Sequence, residues 1–414
     1  MKPILLLLAA SCGAALGQGS LTPPGSPAPV MKSLQEIWDK STTLEAQGLA
    51  ALQQLGSLHQ SDFQQNSLLG VMLEASGGVL PWQITTVDGV WNPGYESSMA
   101  FSPAGQPAIS YYDGDAQDLR CAAYDGSAWQ ISTVESTGDA GYYSSLAFSP
   151  DGRPAVSYTS FDGVDTRLKY AVRNGTIWQT STIDGLGVAI LDSSLAFTPG
   201  NQPAISYHDN VSADLNYAVF DGTSWQITTV DSAGTVGRES SLAFSPSGHP
   251  AISYSDYTNS DLKYAAFNGS AWQLTTVDST GSVDFYSSLA FAADGQPVIS
   301  YRANTNGDLK AAGFDGANWL ISVVDSARSV GAYCSLAFTT AGQPAISYYD
   351  GTNANLKYAV FNGSTWQIST VESTGAVGLG SSLRFSPGGQ PAVSYFNAST
   401  NLLKFAVRAP FTHP

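Results

Sequence analysis

Between Leu80 and Val407 the chain is cut into short runs in which apolar residues alternate with small or polar ones, and Gly, Asn, Asp and Pro separate the runs. One stretch shows the unit: SLAF (Ser335 to Phe338), PAISYY (Pro344 to Tyr349), LKYAVF (Leu356 to Phe361) and WQISTV (Trp366 to Val371). Period-two alternation bounded by turn formers predicts four β-strands. In the first run Leu336 and Phe338 fall on one face, Ser335 and Ala337 on the other. Small residues let a neighbouring sheet come close, and the larger ones fill the space between sheets.

The unit recurs along the chain. Tryptophan opens the fourth run at Trp82, Trp129, Trp178, Trp225, Trp272, Trp319 and Trp366, spaced by 47 residues five times and by 49 once. A fixed period of this size with four strands per unit predicts an all-β, seven-bladed β-propeller over residues 79–409. The phase of the repeat adds a prediction. The first run, Trp82 to Val87, has no partners before it, and the last set ends at Leu403 to Val407 with no tryptophan run after it. The N-terminal strand 82–87 is therefore expected to complete the C-terminal blade and close the ring, which removes two free sheet edges.

The first 78 residues follow another pattern. Residues 1–17 read as a signal peptide, with Lys2, an apolar core from Ile4 to Ala10 and a small-residue cleavage site at Ala15-Leu16-Gly17. Cys12 after Ala9-Ala10-Ser11 loosely matches a bacterial lipoprotein box, which makes lipid anchoring the alternative to ordinary cleavage. Residues 18–30 form a Pro/Gly/Ser linker. Over 31–76, Leu34, Ile37, Leu44, Ala51, Leu55 and Leu58 share one helical face, predicting a helical stalk. That stalk suits a weak coiled coil that oligomerises the protein, or a helix packed on the propeller, or a spacer. No later stretch is long and apolar enough for a transmembrane helix. Low charge (12% charged residues) with 41 Gly suits an extracellular protein, secreted or held at the cell surface, and the formal charge of −16 favours solubility. With 17 basic against 33 acidic residues, nucleic acid is not an expected partner. Cys121 and Cys334 lie at non-equivalent repeat positions, so they are expected to be two small buried residues rather than a disulfide.

Comparing the seven units separates scaffold from variation. The turns typified by SPAGQP and by YDGSAW keep one length in every unit and belong to one face of the disc, because successive strands reverse direction. The opposite face carries the longer connections and the one change of length, two extra residues between Thr159 and Arg167. Binding is expected on this variable face. Two variable positions fall near the mouth of the channel. The first, expected just before the innermost strand, reads Glu96, Tyr143, Asp192, Glu239, Tyr286, Tyr333 and Gly380. The second, after the second strand, reads Tyr112, Thr159, His208, Ser255, Arg302, Tyr349 and Phe396. Carboxylates and phenols on one rim can bond hydroxyls and stack on sugar faces. The candidate ligand-binding set is therefore Glu96, Tyr143, Asp192, Glu239, Tyr286, Tyr333, Tyr112, His208, Arg302 and Tyr349, with no catalytic residue among them.

Other constellations compete with this set. Asp113, Asp115 and Asp118, with like spacing at Asp209/Asp214 and Asp256/Asp261, offer oxygen ligands suited to Ca²⁺, although aspartates are equally expected there as turn formers. No other cofactor is implied, and the four histidines have no metal-binding spacing. The YDGSAW turn resembles the Asp-box of sialidase-type (BNR) propellers, with Trp129 four residues after Asp125 instead of five. That likeness implies a hairpin staple away from any catalytic centre. The whole repeat resembles secreted bacterial BNR-like propellers, and its G-x-x-W corner is similar to that of seven-bladed bacterial lectins. The resemblance implies an extracellular, non-enzymatic recognition or adhesion module with a glycan or a surface protein as partner. The alternatives are a sialidase-like glycoside hydrolase, using Arg238, Arg302 and Arg328 with Glu239 and Tyr286, and a protein-interaction scaffold.

Overall fold

The structure, a computed structural model, describes residues 80–89, 93–185, 190–283 and 286–408. The signal peptide, the linker and the stalk expected over 31–76 lie outside the described residues. Within them the chain forms seven sheets, each of four antiparallel strands, and no helix. Blade 1 is β2 (Pro93–Phe101), β3 (Pro107–Asp113), β4 (Asp118–Tyr124) and β5 (Trp129–Glu135). Blades 2 to 6 repeat this order through β25 (Trp366–Glu372). Blade 7 combines β26 (Val377–Phe385), β27 (Pro391–Asn397) and β28 (Leu402–Arg408) with β1 (Trp82–Asp88). The expected closure is present: Trp82 stands opposite Arg408, Ile84 opposite Ala406 and Thr86 opposite Lys404. The Arg408 guanidinium lies 5.3 Å from the ring centroids of both Trp82 and Tyr358, tying the closing strand to blade 6.

The first strands of the blades neighbour one another round the channel. Each is an innermost edge whose N–H groups have no strand to pair with, and a buried unpaired donor is costly. The Ser-Ser-Leu run answers this. The second serine of each pair accepts the backbone N–H of the apolar residue in the next blade: Ser98 from Leu146, Ser145 from Leu195, Ser194 from Leu242, Ser241 from Leu289, Ser288 from Leu336, Ser335 from Leu383, and Ser382 from Met99 across the closure, at 2.9 to 3.1 Å. These seven bonds form a closed ring. The first serine bonds a serine of the second strand, as in Ser110 with Ser144 at 2.9 Å.

Cys334 takes the place of the first serine in blade 6. It is buried as expected, but it is part of this polar ladder: Ser300 donates to its Sγ at 3.4 Å, and its thiol donates to the Tyr286 carbonyl. Cys121, also free and buried, replaces the third-strand tyrosine and packs in the cluster under Trp178.

A second ring of contacts lies further out. A tyrosine in the second strand of every blade (Tyr111, Tyr158, Tyr207, Tyr254, Tyr301, Tyr348, Tyr395) is wholly buried. Its hydroxyl donates to the carboxylate ending the tryptophan strand of the preceding blade, in order Asp88, Glu135, Asp184, Asp231, Asp278, Asp325 and Glu372. Between blades the tryptophans meet third-strand aromatics edge-on, as Trp272 does with Tyr217 at 5.3 Å and Trp129 with Phe405 at 5.3 Å. Such pairs add about 0.5–1.5 kcal/mol each beyond area burial.

Candidate functional site: the throat of the channel

The first variable position precedes the innermost strand only in blade 5, where Tyr286 stands before Ser288–Phe291; in the other six blades it lies inside that strand. β22 runs Val330–Phe338, and its register with β23 (Pro344–Asp350) slips on either side of Tyr333, between Ala332 and Ser335. The same slip occurs around Tyr143, Asp192, Glu239 and Gly380. This is a β-bulge, which places an extra residue on one strand and re-aims a side chain. The backbone at the bulge is left-handed: φ is 52° at Tyr143, 57° at Asp192, 51° at Glu239, 77° at Tyr286, 53° at Tyr333 and 57° at Gly380. Left-handed backbone costs a residue with a side chain about 1 kcal/mol. Five blades hold a large polar or aromatic residue there, where glycine, present in blade 7, would relieve the strain.

The side chains converge. The Tyr143 N–H donates to Glu96 Oε2 at 2.8 Å. Burial pushes the Tyr143 phenol up, and so do the charges of Asp192 and Glu96 and, after the opposing pull of Arg238, that of Glu239. Tyr333 is raised by burial and feels Glu96 and Glu239 from across the ring. Its ring stands 4.4 Å from that of Tyr286, tilted by 44°. Asp192 is buried and accepts from Arg238 Nε at 2.8 Å. Burial raises the Asp192 carboxyl against the pull of this guanidinium. Glu96 is raised by burial to about 7, with the Tyr143 N–H opposing and Asp192 reinforcing the shift. Three carboxyls and three phenols thus share one level of the throat, and the raised Glu96 and Asp192 carboxyls make it the candidate site.

Glu96 makes a testable pH dependence. Its folded pKa lies above the ordinary value of 4.5, so the folded chain holds this proton more tightly than the unfolded one. The associated stability is fully present below about pH 4.5 and is lost as pH rises through about 7. Glu96→Gln, which keeps an acceptor for the Tyr143 N–H, is expected to flatten this part of the profile. Relative to the native chain it should gain about 2 kcal/mol between pH 5 and pH 8, read from denaturant unfolding at each pH. Parallel profiles for the two chains would show that Glu96 is not held neutral.

The second variable position divides. Tyr112, Arg302 and Tyr349 are half-buried at the rim, whereas Thr159, His208, Ser255 and Phe396 are buried. The His208 Nδ1 lies 2.8 Å from the Val236 carbonyl, and burial lowers its pKa, so the ring is neutral at pH 7. It lies close enough to Asp192 for each to influence the other's ionisation. Tyr112 stacks on Tyr142, with ring centroids 4.3 Å apart, and donates to Asp139 at 2.8 Å. Tyr142, which the comparison of repeats passed over, is 40% exposed and completes an aromatic pair at the mouth.

The remaining candidates fall elsewhere. Arg238 is held by Asp192 and faces the Tyr257 ring at 5.4 Å, and Arg328 is exposed in a loop. Asp113 accepts the N–H groups of Asp115 and Ala116 and pairs with Arg120 at 2.7 Å, which is the turn-forming use of an aspartate. Among the described residues no group of three or more His, Cys, Asp or Glu is arranged to hold a metal ion. In the YDGSAW turn, Asp125 Oδ1 accepts from the N–H groups of Ser127 and Ala128 at 2.8 and 2.9 Å. Asp221, Asn268, Asp315 and Asn362 do the same in their blades. These are hairpin staples on the face opposite the throat.

No protein-family model and no curated protein sequence matches the chain. Solved structures do match it in fold. An ulvan polysaccharide lyase is 12% identical with a TM-score of 0.54, over 78% of this chain and 95% of its own. YCF48 from Cyanidioschyzon merolae is 12% identical with a TM-score of 0.51, over 78% and 98%. The NanB sialidase from Streptococcus pneumoniae is 12% identical with a TM-score of 0.46, over 79% and 70%. At such identities the likeness is one of fold.

Proposed function

We propose that the protein is an extracellular, non-enzymatic recognition module that binds carbohydrate in the throat of the channel. The observation that carries this reading is the bulged ring. Five blades keep strained backbone to present Tyr143, Asp192, Glu239, Tyr286 and Tyr333 at one level, beside Glu96. Phenols supply flat faces for sugar rings and hydroxyls for hydrogen bonds, and carboxyls accept from sugar hydroxyls. The polysaccharide lyase among its fold neighbours is in keeping with a sugar ligand but does not by itself argue for one.

A second reading rests on Glu96. A carboxyl raised to about 7 is suited to general acid catalysis, which favours a glycoside hydrolase as the alternative. A sialidase-like mechanism is the weaker form of that reading, because Arg238 is already engaged by Asp192.

A glycan array with the purified chain tests the proposal. Binding of a defined glycan is expected, weakened at least about tenfold by Tyr143→Ala or Tyr333→Ala, as for loss of a stacking anchor. Turnover of an artificial glycoside that vanishes in Glu96→Gln would replace binding by catalysis. Binding unaffected by both tyrosine changes would remove the throat as the site, and neither binding nor turnover would favour a protein-interaction scaffold.

A further inference from the structure

The innermost strands follow one rule at the residue after the core leucine or methionine. It is Ala100, Ala147, Ala196, Ala243, Ala290 and Ala337 in six blades, and Arg384 in the seventh. Arg384 lines a cavity of about 570 Å³ in the channel, walled by innermost strands of blades 2 to 6. Pro246, Ala292 and Ala293, in the uniform hairpin turns, also line it, which sets it toward the face opposite the throat. The guanidinium is bonded to the Leu383 carbonyl at 2.7 Å. No carboxylate among the described residues stands within ion-pair distance, and no neighbouring charge offsets the desolvation that lowers its pKa. Arg120, Arg238, Lys310 and Arg408, by contrast, each have an acidic or aromatic partner.

The same cavity is lined by Ser145, Ser194, Ser241 and Ser288. Each of these hydroxyls accepts an N–H from the next blade. A serine has one proton to give as well as lone pairs to fill. No acceptor for those four protons is found among the described residues. The cavity therefore combines one unpaired cation with several hydroxyl donors that lack an acceptor, and lacks any opposing anion.

We propose that this lower cavity is an oxyanion-binding site, with Arg384 as its charged anchor and the serine ring as its neutral donors. The ligand class is a carboxylate, sulfate or phosphate group, whose paired oxygens match the planar fork of a guanidinium. The site stands apart from the throat, and the inference does not depend on what the throat binds. The chain's net charge of −16 repels anions at long range, so binding must come from local contacts and be measured at constant ionic strength.

Thermal unfolding of the full chain with increasing sodium sulfate, sodium phosphate or sodium glucuronate, ionic strength held with sodium chloride, tests this. A ligand that binds only the folded state raises Tm along a saturation curve. At least one probe is expected to do so for the native chain. Arg384→Ala, which installs the residue of the other six blades and so should fold, is expected to lose about tenfold or more in affinity. Stronger saturation by the inorganic ions would identify a free ion as the ligand, and stronger saturation by glucuronate an acidic group on a sugar. Equal responses from native chain and variant, or no saturable response to any of the three, would overturn the proposal.

Discussion

Deleting Trp82–Asp88 from the full chain is expected to abolish the cooperative folded state at 37 °C, although the deleted strand precedes every complete blade. That strand is the outer edge of blade 7, paired along its length with β28. Without it β28 becomes a free edge, Arg408 loses the Trp82 ring beneath it, and Tyr358 of blade 6 loses its edge-on partner at 5.4 Å. Truncating the tryptophan alone, Trp82→Ala, should cost about 3 kcal/mol, because large aromatic deletions in packed sites fall in that range. Domains of ordinary stability have about 5–15 kcal/mol to lose. Attaching the same seven residues directly after Arg408 through a copy of the turn DGTS, in place of residues 409–414, is expected to restore a single unfolding transition, followed by tyrosine and tryptophan fluorescence in denaturant. An unchanged midpoint in the deletion would mean that the ring does not depend on this closure.

Asp278→Ala is expected to destabilise the fold by about 3–5 kcal/mol, the range for removing one partner of a buried ion pair. Asp278 is buried, takes the Tyr301 hydroxyl at 2.7 Å and Lys310 at 3.0 Å, and accepts the Thr280 N–H at 2.8 Å. Burial by itself would raise its pKa, but these three donors together hold it below the usual carboxylate value. A carboxyl depressed in the folded state adds stability that is complete above its unfolded pKa and is lost as pH falls through the folded one. Asp278→Asn, which retains acceptors, should cost less than the alanine change and should make unfolding below about pH 4 less steep. Denaturant midpoints at pH 7 and pH 4 check both statements. An alanine variant within about 0.5 kcal/mol of the native chain would show that Lys310 and Tyr301 find other partners.

The architecture was legible because the seven copies share one period and one phase, from which blade number, strand count and the closing strand all follow. The two contact rings were legible only in outline. The invariant serines read as small residues that let sheets approach, and their second use became visible once the innermost strands proved to have unpaired N–H groups. The throat column carried its own clue in Gly380. One glycine among Glu, Tyr and Asp points to a left-handed backbone at that place, and five other blades keep that backbone without glycine. What the sequence could not convey is which rim positions stay accessible. His208 and Tyr349 occupy equivalent places, yet the first is buried, with its Nδ1 on the Val236 carbonyl of the next blade, and the second is half-exposed. Arg384 was readable as the odd member of an alanine column. Its lack of a carboxylate partner depends on what five other strands bring to the same cavity.

The serine ring has a direction. Each blade offers a hydroxyl oxygen to the neighbour on one side and an N–H to the neighbour on the other, so its two flanks are complementary to each other and not to themselves. That is the head-to-tail geometry by which separate subunits build rotational rings, here carried out within one polypeptide. A single excised blade would leave the oxygen flank open on one side and the N–H flank open on the other. Seven copies of such a blade are the number that would satisfy every open flank in a homo-oligomeric disc.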